Sequence, residues 1–349
     1  MTETSVGKTE NTISADEVAL YDRQIRLWGM ESQARMRNSK ILLINIGAVA
    51  NEIVKDLVLA GIGSLTIVDA HVTSDADFGA QFFVQEGDEN KNRGESALPR
   101  ISQLNRHVTV ETVDKVILDL DKEFVGKFDL VVITQATLKE IVHITTLCEE
   151  TDTTNICVGI SGLFSYAFID FREYTYKIET PNKPSTMSIP EQATLVGTVE
   201  LETGNYSASL KQSFKPFKQV LEAVQTPKPF AHMRPKHKSR IPGYVPLLFT
   251  GWEYEQTNPG KSWGDLSAKE FHELGVEQCS KLQLPLGIIS EELAQQVLTS
   301  KDAEIATTAS IMGGGIAQEV LNYLARSQIP IDNFYVFDGI NGESPIYRL

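Results

Sequence analysis

Four residues between positions 45 and 69 have the types and spacing of a site that holds a nucleotide. The apolar segment LLINIG is followed by AVANEI, where a helical pattern begins near Asn51, and then by a second apolar segment, LTIVDA. The fingerprint for a dinucleotide or ATP at such a turn is G-x-G-x-x-G/A, with an acid about 20 residues later that holds a ribose hydroxyl. Its glycine positions fall on Asn45, Gly47 and Ala50. Asp69 takes the place of the acid.

Two of the three glycine positions are therefore substituted. Ala50 is compatible with the fingerprint, because that position only has to let a helix pack closely on a strand. Asn45 is less compatible: asparagine can adopt the left-handed backbone of the tight turn, but its side chain crowds the loop. The pattern predicts a nucleotide-binding topology and leaves two alternatives open, a working site and one that binds nothing.

A second group of candidate residues lies in ALYDRQIRLWG, at residues 19–29. Arg23 carries a planar, permanently charged guanidinium that can pair with phosphate oxygens, including those bound by a neighbouring protein. The alternative is a surface ion pair with Asp22, Asp16 or a neighbouring glutamate, and most such pairs contribute little to stability.

The composition argues against several classes of protein. The 349 residues are 42% hydrophobic and 22% charged, which is ordinary for a folded globular chain. The net charge of −14 argues against a nucleic-acid partner. Apolar runs fall short of the roughly 20 residues that cross a bilayer, and MTETSVGKTENTISADE resembles neither a signal peptide nor a transit peptide. We expect no membrane partner and a reducing intracellular compartment.

The cysteines and histidines suggest no further chemistry. Cys148, Cys157 and Cys279 form neither a paired framework nor a C-x-x-C motif. Their surroundings are those of buried structural thiols, without the nearby positive charge that activates a nucleophile. The histidines show no pattern of metal ligands, so we assign no metal to this chain.

Alternating strands and helices must position these residues. Strand patterns occur at 40–47, 64–70, 129–134 and NICVGISG, with helical patterns at 51–63 and KEIVHITTLCEE. They predict an α/β fold with a Rossmann-like, doubly wound, mainly parallel sheet. Residues 1–13 are expected to form a disordered tail. Ser14 and Glu17 fit a capping box that begins a first helix. Its mostly apolar face comprises Val18, Leu20, Tyr21, Ile25, Leu27 and Trp28, and ends at Gly29.

The pattern changes after residue 172. Residues 173–260 combine alternation, prolines and lysines, and are expected to be an insertion of uncertain structure. Helical patterns return at 265–299, and SIMGGGIAQEVLNYLARS (310–327) predicts an apolar helix entered through three glycines. NFYVFDGI (333–340) predicts a last buried strand.

Several segments together resemble a known family. YDRQIRLWGMESQARMRNSKILLIN, EIVKDLVLAGIGSLTIVDAHVTSDADFGAQFF, IMGGGIAQEVLNYLA and NFYVFDGI are similar to the ubiquitin-activating enzyme family, with its ThiF/MoeB-like adenylation fold. The short chain, without a cysteine domain, favours the SUMO branch. The resemblance implies two adenylation halves that face each other. One activates the modifier with ATP and Mg and passes it to a catalytic cysteine, and the other is a pseudo-enzyme.

The resemblance implies that this chain is the non-catalytic half. The active half carries an asparagine and an arginine after the ribose acid, but this chain has Gly79 and Ala80 there. Arg93 stands at a lysine position, and Ala136 stands where an aspartate holds Mg. Residues 14–172 and 261–349 would then be two parts of one pseudo-adenylation domain, active only within a heterodimer. ATP and Mg would bind to the partner subunit.

The resemblance also implies the partners. The arginine of Y-D-R-Q, here Arg23, reaches in trans into the other half's ATP site, and the expected interface includes Tyr21, Asp22, Gln24, Arg26 and Trp28. The partners would be the catalytic subunit of a SUMO-activating enzyme, SUMO and, transiently, the conjugating enzyme. The expected location is the nucleus, with a cytoplasmic pool. The basic run MRPKHKSR (233–240) fits a nuclear signal or an ordinary solvated loop.

Three other functions stay open at this point. A Nedd-type subunit would need a longer inserted domain. A homodimeric sulfur-carrier adenylyltransferase would need the arginine and aspartate that Ala80 and Ala136 replace. A nicotinamide-dependent oxidoreductase would need a catalytic residue at a second cleft, and the sequence offers no convincing candidate.

Overall fold

A sheet of eight strands organises the computed structural model, which describes residues 13–182 and 187–349. Five strands run parallel in the order β3-β2-β1-β4-β5. They are β1 (Lys40–Ile44), β2 (Ser64–Val68), β3 (Thr109–Val113), β4 (Leu130–Thr134) and β5 (Thr154–Ser161). The sheet continues past β5 with antiparallel strands β6 (Phe164–Asp170), β10 (Phe334–Asp338) and β11 (Ile346–Tyr347).

Helices cover both faces of this sheet. They are α1 (Ala15–Leu20), α2 (Asp22–Trp28), α3 (Met30–Asn38), α4 (Ala48–Ala60), α5 (Asp75–Ala80), α6 (Arg93–Ser102), α7 (Lys122–Val125), α8 (Leu138–Thr151), α9 (Phe217–Ala223), α10 (Pro235–Lys238), α11 (Tyr244–Thr257), α12 (Ala268–Leu282), α13 (Glu291–Thr299) and α14 (Ala306–Ala325). One buried cluster joins the sheet to α4 and α14, and a second joins it to α8, α11 and α12. The predicted doubly wound, mainly parallel fold is confirmed.

A smaller antiparallel sheet lies in the stretch where an insertion was predicted. It contains β7 (Glu173–Thr180), β8 (Ala193–Glu200) and β9 (Tyr206–Ser213), in the order β7-β9-β8. Later in the same stretch, α11 buries Leu247, Phe249 and Trp252 in the second core cluster of the central sheet. The stretch thus has defined structure, and part of it belongs to the main core. The domain boundaries at residues 172 and 260 stay predictions.

Three local expectations need correction. The first helical segment is two helices, α1 and α2, separated at Tyr21. The helix expected near Asn51 begins earlier, at Ala48. The three glycines expected before the last helix lie in the middle of α14. The capping box of Ser14 and Glu17 is present, whereas residues 1–12 of the expected tail lie outside the described part. Among the described residues, no helix is long and apolar enough to cross a membrane.

Close packing between α4 and α14 explains the first of these glycines. A Cβ added at Gly313 would lie 2.6 Å from Cβ of Glu52 and 3.0 Å from the carbonyl oxygen of Val49. The neighbouring Gly314 has open space at the same position. Helix α14 therefore accepts the poor helix propensity of Gly313 because only glycine lets the two helices approach this closely.

The paired substitutions Gly313→Ala and Gly314→Ala test this contact. Alanine at 313 must push α4 away, which costs about 1–3 kcal/mol and outweighs the helix-propensity gain of about 1 kcal/mol. Alanine at 314 keeps that gain without a clash. Urea unfolding should give a lower free energy of unfolding for the first variant and an unchanged or higher one for the second. Equal effects at both positions would contradict the packing argument.

Candidate functional site

The candidate site lies where β1, β2 and β4 end, at the carboxyl edge of the parallel strands. Asn45 follows β1 directly, is buried, and has a φ of 62°, in the left-handed region. Its side-chain amide donates to the carbonyl oxygens of Thr134 at 3.0 Å and Gln135 at 3.3 Å. The asparagine thus makes the tight turn and fastens the end of β1 to the end of β4.

The next turn holds an internal anion. Gly47 caps the N-terminus of α4, and the backbone N–H groups of Ala48 and Val49 donate to the carboxylate of Glu304 at 2.9 and 3.2 Å. A Cβ on Gly47 would overlap this carboxylate, so the glycine is needed for its approach. In nucleotide-binding folds a phosphate occupies this position at the helix N-terminus. Here the chain fills the position with its own side chain.

Burial and hydrogen bonding act on Glu304 in opposite directions. Burial raises the pKa of its carboxyl group, while the N–H groups of Ala48 and Val49 act to lower it. The positive end of the helix dipole further favours the ionised form.

The predicted ribose acid is also satisfied from within the chain. Asp69 is 1% exposed and accepts hydrogen bonds from the backbone N–H of Ile46 and of His71, each at 2.8 Å. Nε of Arg93 donates to Asp69 at 2.8 Å, and Nη1 of Arg93 lies 3.3 Å from Asp77. Burial acts to raise the pKa of Asp69, but the hydrogen bond to His71 and the charge of Arg93 bring it down to about 2. Arg93 is therefore committed to two carboxylates.

The other positions predicted from the sequence lie on α4, on α5 and in the connection between β4 and α8. Ala50 is fully buried in the first turn of α4. Gly79 and Ala80 end α5, and Ala136 lies between β4 and α8, so all three contribute no charge. The structure thus brings Asn45, Gly47, Asp69 and Arg93 to one edge of the sheet; the loss of function inferred at 79, 80 and 136 stays a prediction. As folded, this edge does not fit a nucleotide phosphate.

Glu304 was missed from the sequence. It lies 256 residues after the N–H group of Ala48 to which it bonds, and no local pattern marks it. The one hint in the sequence is that Gly47 is retained although the other two glycine positions of the fingerprint are substituted. The retained glycine leaves room for a group close to the backbone, but it does not identify that group.

The segment that carries Arg23 is fastened at one point. Tyr21 is buried between α1 and α2, its ring lies against Gly61, and its hydroxyl accepts a hydrogen bond from Asn105 at 2.7 Å. Asp22 pairs with Arg26 at 3.1 Å. Arg23 is exposed and makes no ion pair with any residue in 13–182 or 187–349. The alternative of an ion pair with Asp22 or Asp16 is therefore not what the structure has.

The apolar face expected beside Arg23 is only partly packed against this chain: Tyr21 is buried and Trp28 packs against the first core cluster. Leu20, Leu27 and Met30 are 60%, 72% and 47% exposed. Gln24 and Trp28 are half-buried, and the side-chain oxygen of Gln24 is buried without a partner in the described structure. Helix α2 and its flanking residues therefore present the guanidinium of Arg23 beside the exposed side chains of Leu20 and Leu27.

The cysteines and potential metal ligands offer no second site. Cys148, Cys157 and Cys279 are buried, as predicted. Burial raises the pKa of Cys148 to about 12 and that of Cys279 to about 11, and the pKa of Cys157 lies well above its usual value. These thiols are poor nucleophiles. The described ranges contain no group of three or more His, Cys, Asp or Glu side chains that could hold a metal ion.

Substitutions at Glu304 test whether it acts as an internal anion. Glu304→Ala leaves the N–H groups of Ala48 and Val49 without an acceptor, which should lower the free energy of unfolding by about 1–3 kcal/mol. Glu304→Gln keeps an acceptor oxygen and should lose less. Inorganic phosphate should then stabilise the alanine variant more than the wild type, because the helix N-terminus is open to it. Thermal unfolding in phosphate and in chloride at equal ionic strength measures this. Equal phosphate effects in all three proteins would contradict it.

Comparisons with known proteins agree with the geometry. The model of the ThiF family matches residues 21–349. The DNA damage tolerance protein RHC31 of Saccharomyces cerevisiae is 34% identical over 345 residues, covering 96% of this chain and 98% of that protein. SUMO-activating enzyme subunit 1 of Xenopus laevis is 29% identical, covering 96% of each chain, and the Homo sapiens protein of that name is 29% identical, covering 95% and 94%.

A solved structure supports the fold alone. The crystal structure of selenomethionine PaaA aligns with a TM-score of 0.54 at 14% identity, covering all of this chain and 79% of that one. The family resemblance found in the sequence motifs is confirmed, both by the family model and by relatives named for SUMO activation. The chain belongs to the ThiF family.

Proposed function

We propose that this chain is the non-catalytic subunit of a heterodimeric SUMO-activating enzyme. It supports the ATP-dependent adenylation and thioester activation of SUMO by a larger catalytic partner. Relatives named SUMO-activating enzyme subunit 1 align with it over nearly their whole length. The observation that carries the non-catalytic assignment is the carboxylate of Glu304 at the phosphate position of α4.

The electrostatics of the chain's own site support this assignment. Adenylation proceeds through a polyanionic transition state and depends on positioned positive charge. Here the helix N-terminus faces a carboxylate, and Arg93 is neutralised by Asp69 and Asp77. A nucleotide would have to displace one anion and compete with two others. We therefore assign ATP and Mg to the partner subunit, together with the thioester cysteine.

The same proposal gives Arg23 a role in trans. Its guanidinium is exposed and unpaired among the described residues, on a helix whose base is fixed by buried Tyr21. The exposed Leu20 and Leu27 beside it are the kind of apolar surface that a protein partner covers. Arg23 would then reach the partner's ATP phosphates as an arginine finger. Tyr21, Asp22, Gln24, Arg26 and Trp28 stay predicted interface residues.

The proposed location is the nucleus, with a cytoplasmic pool. The basic run at 233–240 supports it, since six of its eight positions are exposed and carry or flank positive charge. Imaging a fluorescent fusion, with and without Lys236→Ala and Lys238→Ala, tests whether the run directs the protein to the nucleus. The substitutions should reduce nuclear accumulation, and unchanged accumulation would show that the run is not the nuclear signal.

The variant Arg23→Ala tests the finger assignment. The exposed side chain contributes no packing, so the variant should fold and pair with the catalytic subunit as the wild type does. ATP–pyrophosphate exchange by the complex should fall by up to roughly 10³-fold, the scale of other arginine fingers. Arg106→Ala is the matched control, because Arg106 is also exposed and unpaired among the described residues but lies outside the predicted interface, so its loss should have a much smaller effect. Normal pairing with unchanged exchange in the Arg23 variant would refute the assignment.

A further inference from the structure

The basic run lies within a stretch of unusual charge. Residues 223–252 contain no aspartate or glutamate, although the whole chain has 46. Their cations are Lys228, Arg234, Lys236, Lys238 and Arg240. This concentration of positive charge in a chain of net charge −14 defines a local surface with its own electrostatic preference.

The backbone of the run is held in place at both ends. Phe230 before it and Ile241 after it are buried in the second core cluster. Between them α10 forms one turn of helix, and Nζ of Lys238 donates to the carbonyl oxygen of Gln283 at 3.1 Å. The cations of the run are therefore presented from a folded segment.

The last residues of the chain form the facing wall. Tyr347 and Leu349 are buried, and the ring of Tyr347 packs edge-on against Phe230 with centroids 5.6 Å apart. The N–H group of Leu349 donates to Oδ1 of Asn333 at 2.9 Å. Arg348, between two anchored neighbours, projects its side chain outwards with Nε 3.4 Å from Asp332.

A cavity of about 470 Å³ lies between these two walls. Arg234 and His237 line it from the basic run, His232 lines it from the residue just before the run, and Arg348 lines it from the C-terminus. Asp332 is the one acid among the lining residues that the structure describes, and Arg348 already pairs with it. We call this cavity the basic pocket.

The basic pocket also has an apolar part. Met233, Ile346 and Tyr347 contribute to its lining. A small inorganic anion would use only the arginines and leave this surface exposed. A ligand that carries both negative charge and an apolar group would use the whole pocket.

We propose that the basic pocket binds an acidic peptide segment of a partner protein. Carboxylates of the segment pair with the guanidinium groups of Arg234 and Arg348, each of which can donate two parallel hydrogen bonds to the oxygens of one carboxylate. An apolar side chain of the segment contacts Met233 and Ile346. A peptide fits better than a nucleic acid, because the pocket offers the two guanidinium groups of Arg234 and Arg348 in a chain whose net charge is −14. This inference does not depend on the proposed function.

A titration of the full chain, alone and with its catalytic partner, tests the proposal. The probe is a short fluorescein-labelled peptide rich in glutamate with one central leucine. Reversing the charge of either arginine, in Arg234→Glu or Arg348→Glu, should weaken binding at least roughly tenfold. Replacing the leucine of the probe by serine should weaken it further. Lys269→Glu, the same charge change at an exposed lysine of α12, should leave the affinity unchanged.

Three results would overturn the proposal: no binding of the peptide by the wild type, equal loss in the Lys269 control, or tighter binding of single-stranded RNA to the same pocket. Arg234 makes no ion pair among the described residues, so its substitution should not affect folding. Thermal unfolding of the Arg348 variant, whose partner is Asp332, separates lost binding from lost stability.

Discussion

The contact between the carboxylate of Glu304 and the first N–H groups of α4 joins two parts of the chain that are far apart in sequence. Glu304 also bridges to Gly162 at the end of β5, and α14 begins two residues after it, at Ala306. The same contact therefore closes the phosphate position and sets the start of the helix that packs on α4. One side chain thus both occupies the phosphate position of α4 and lies just before the helix that packs on it.

The distribution of charge supports the proposed division of roles between this chain and a catalytic partner. Within the site, Asp69 and Asp77 share Arg93, and Glu304 is held by backbone donors, so every strong charge there has an internal partner. At the head of the chain, Arg23 has none among the described residues. A charge that is not used in the protein's own site is free to act elsewhere. The exposed apolar residues around it agree with a surface completed by another protein.

Much of the fold could be predicted because its signals are local. The continuous apolar runs of β1, β2, β4 and β5 and the capping box at Ser14 are each contained in a few residues. Strand β3 gave no such signal, because it lies at the edge of the parallel strands and none of its five residues is fully buried. The glycines of α14 were predicted to precede the helix because glycine usually marks a helix end. Gly313 instead lies inside the helix, where its missing side chain lets α4 pack closely. The same limit hid Glu304, whose partners are set only by the complete fold.

The central claim is that this chain supplies structure and one cation to a nucleotide site that it does not itself contain. Equilibrium binding of ATP with Mg, measured for the purified chain and for its complex with the catalytic subunit, tests it most directly. The account predicts no saturable binding by the chain alone and a single site in the complex. Saturable binding of ATP to the isolated chain, lost on occupation of the phosphate position of α4 by a competing anion, would contradict it.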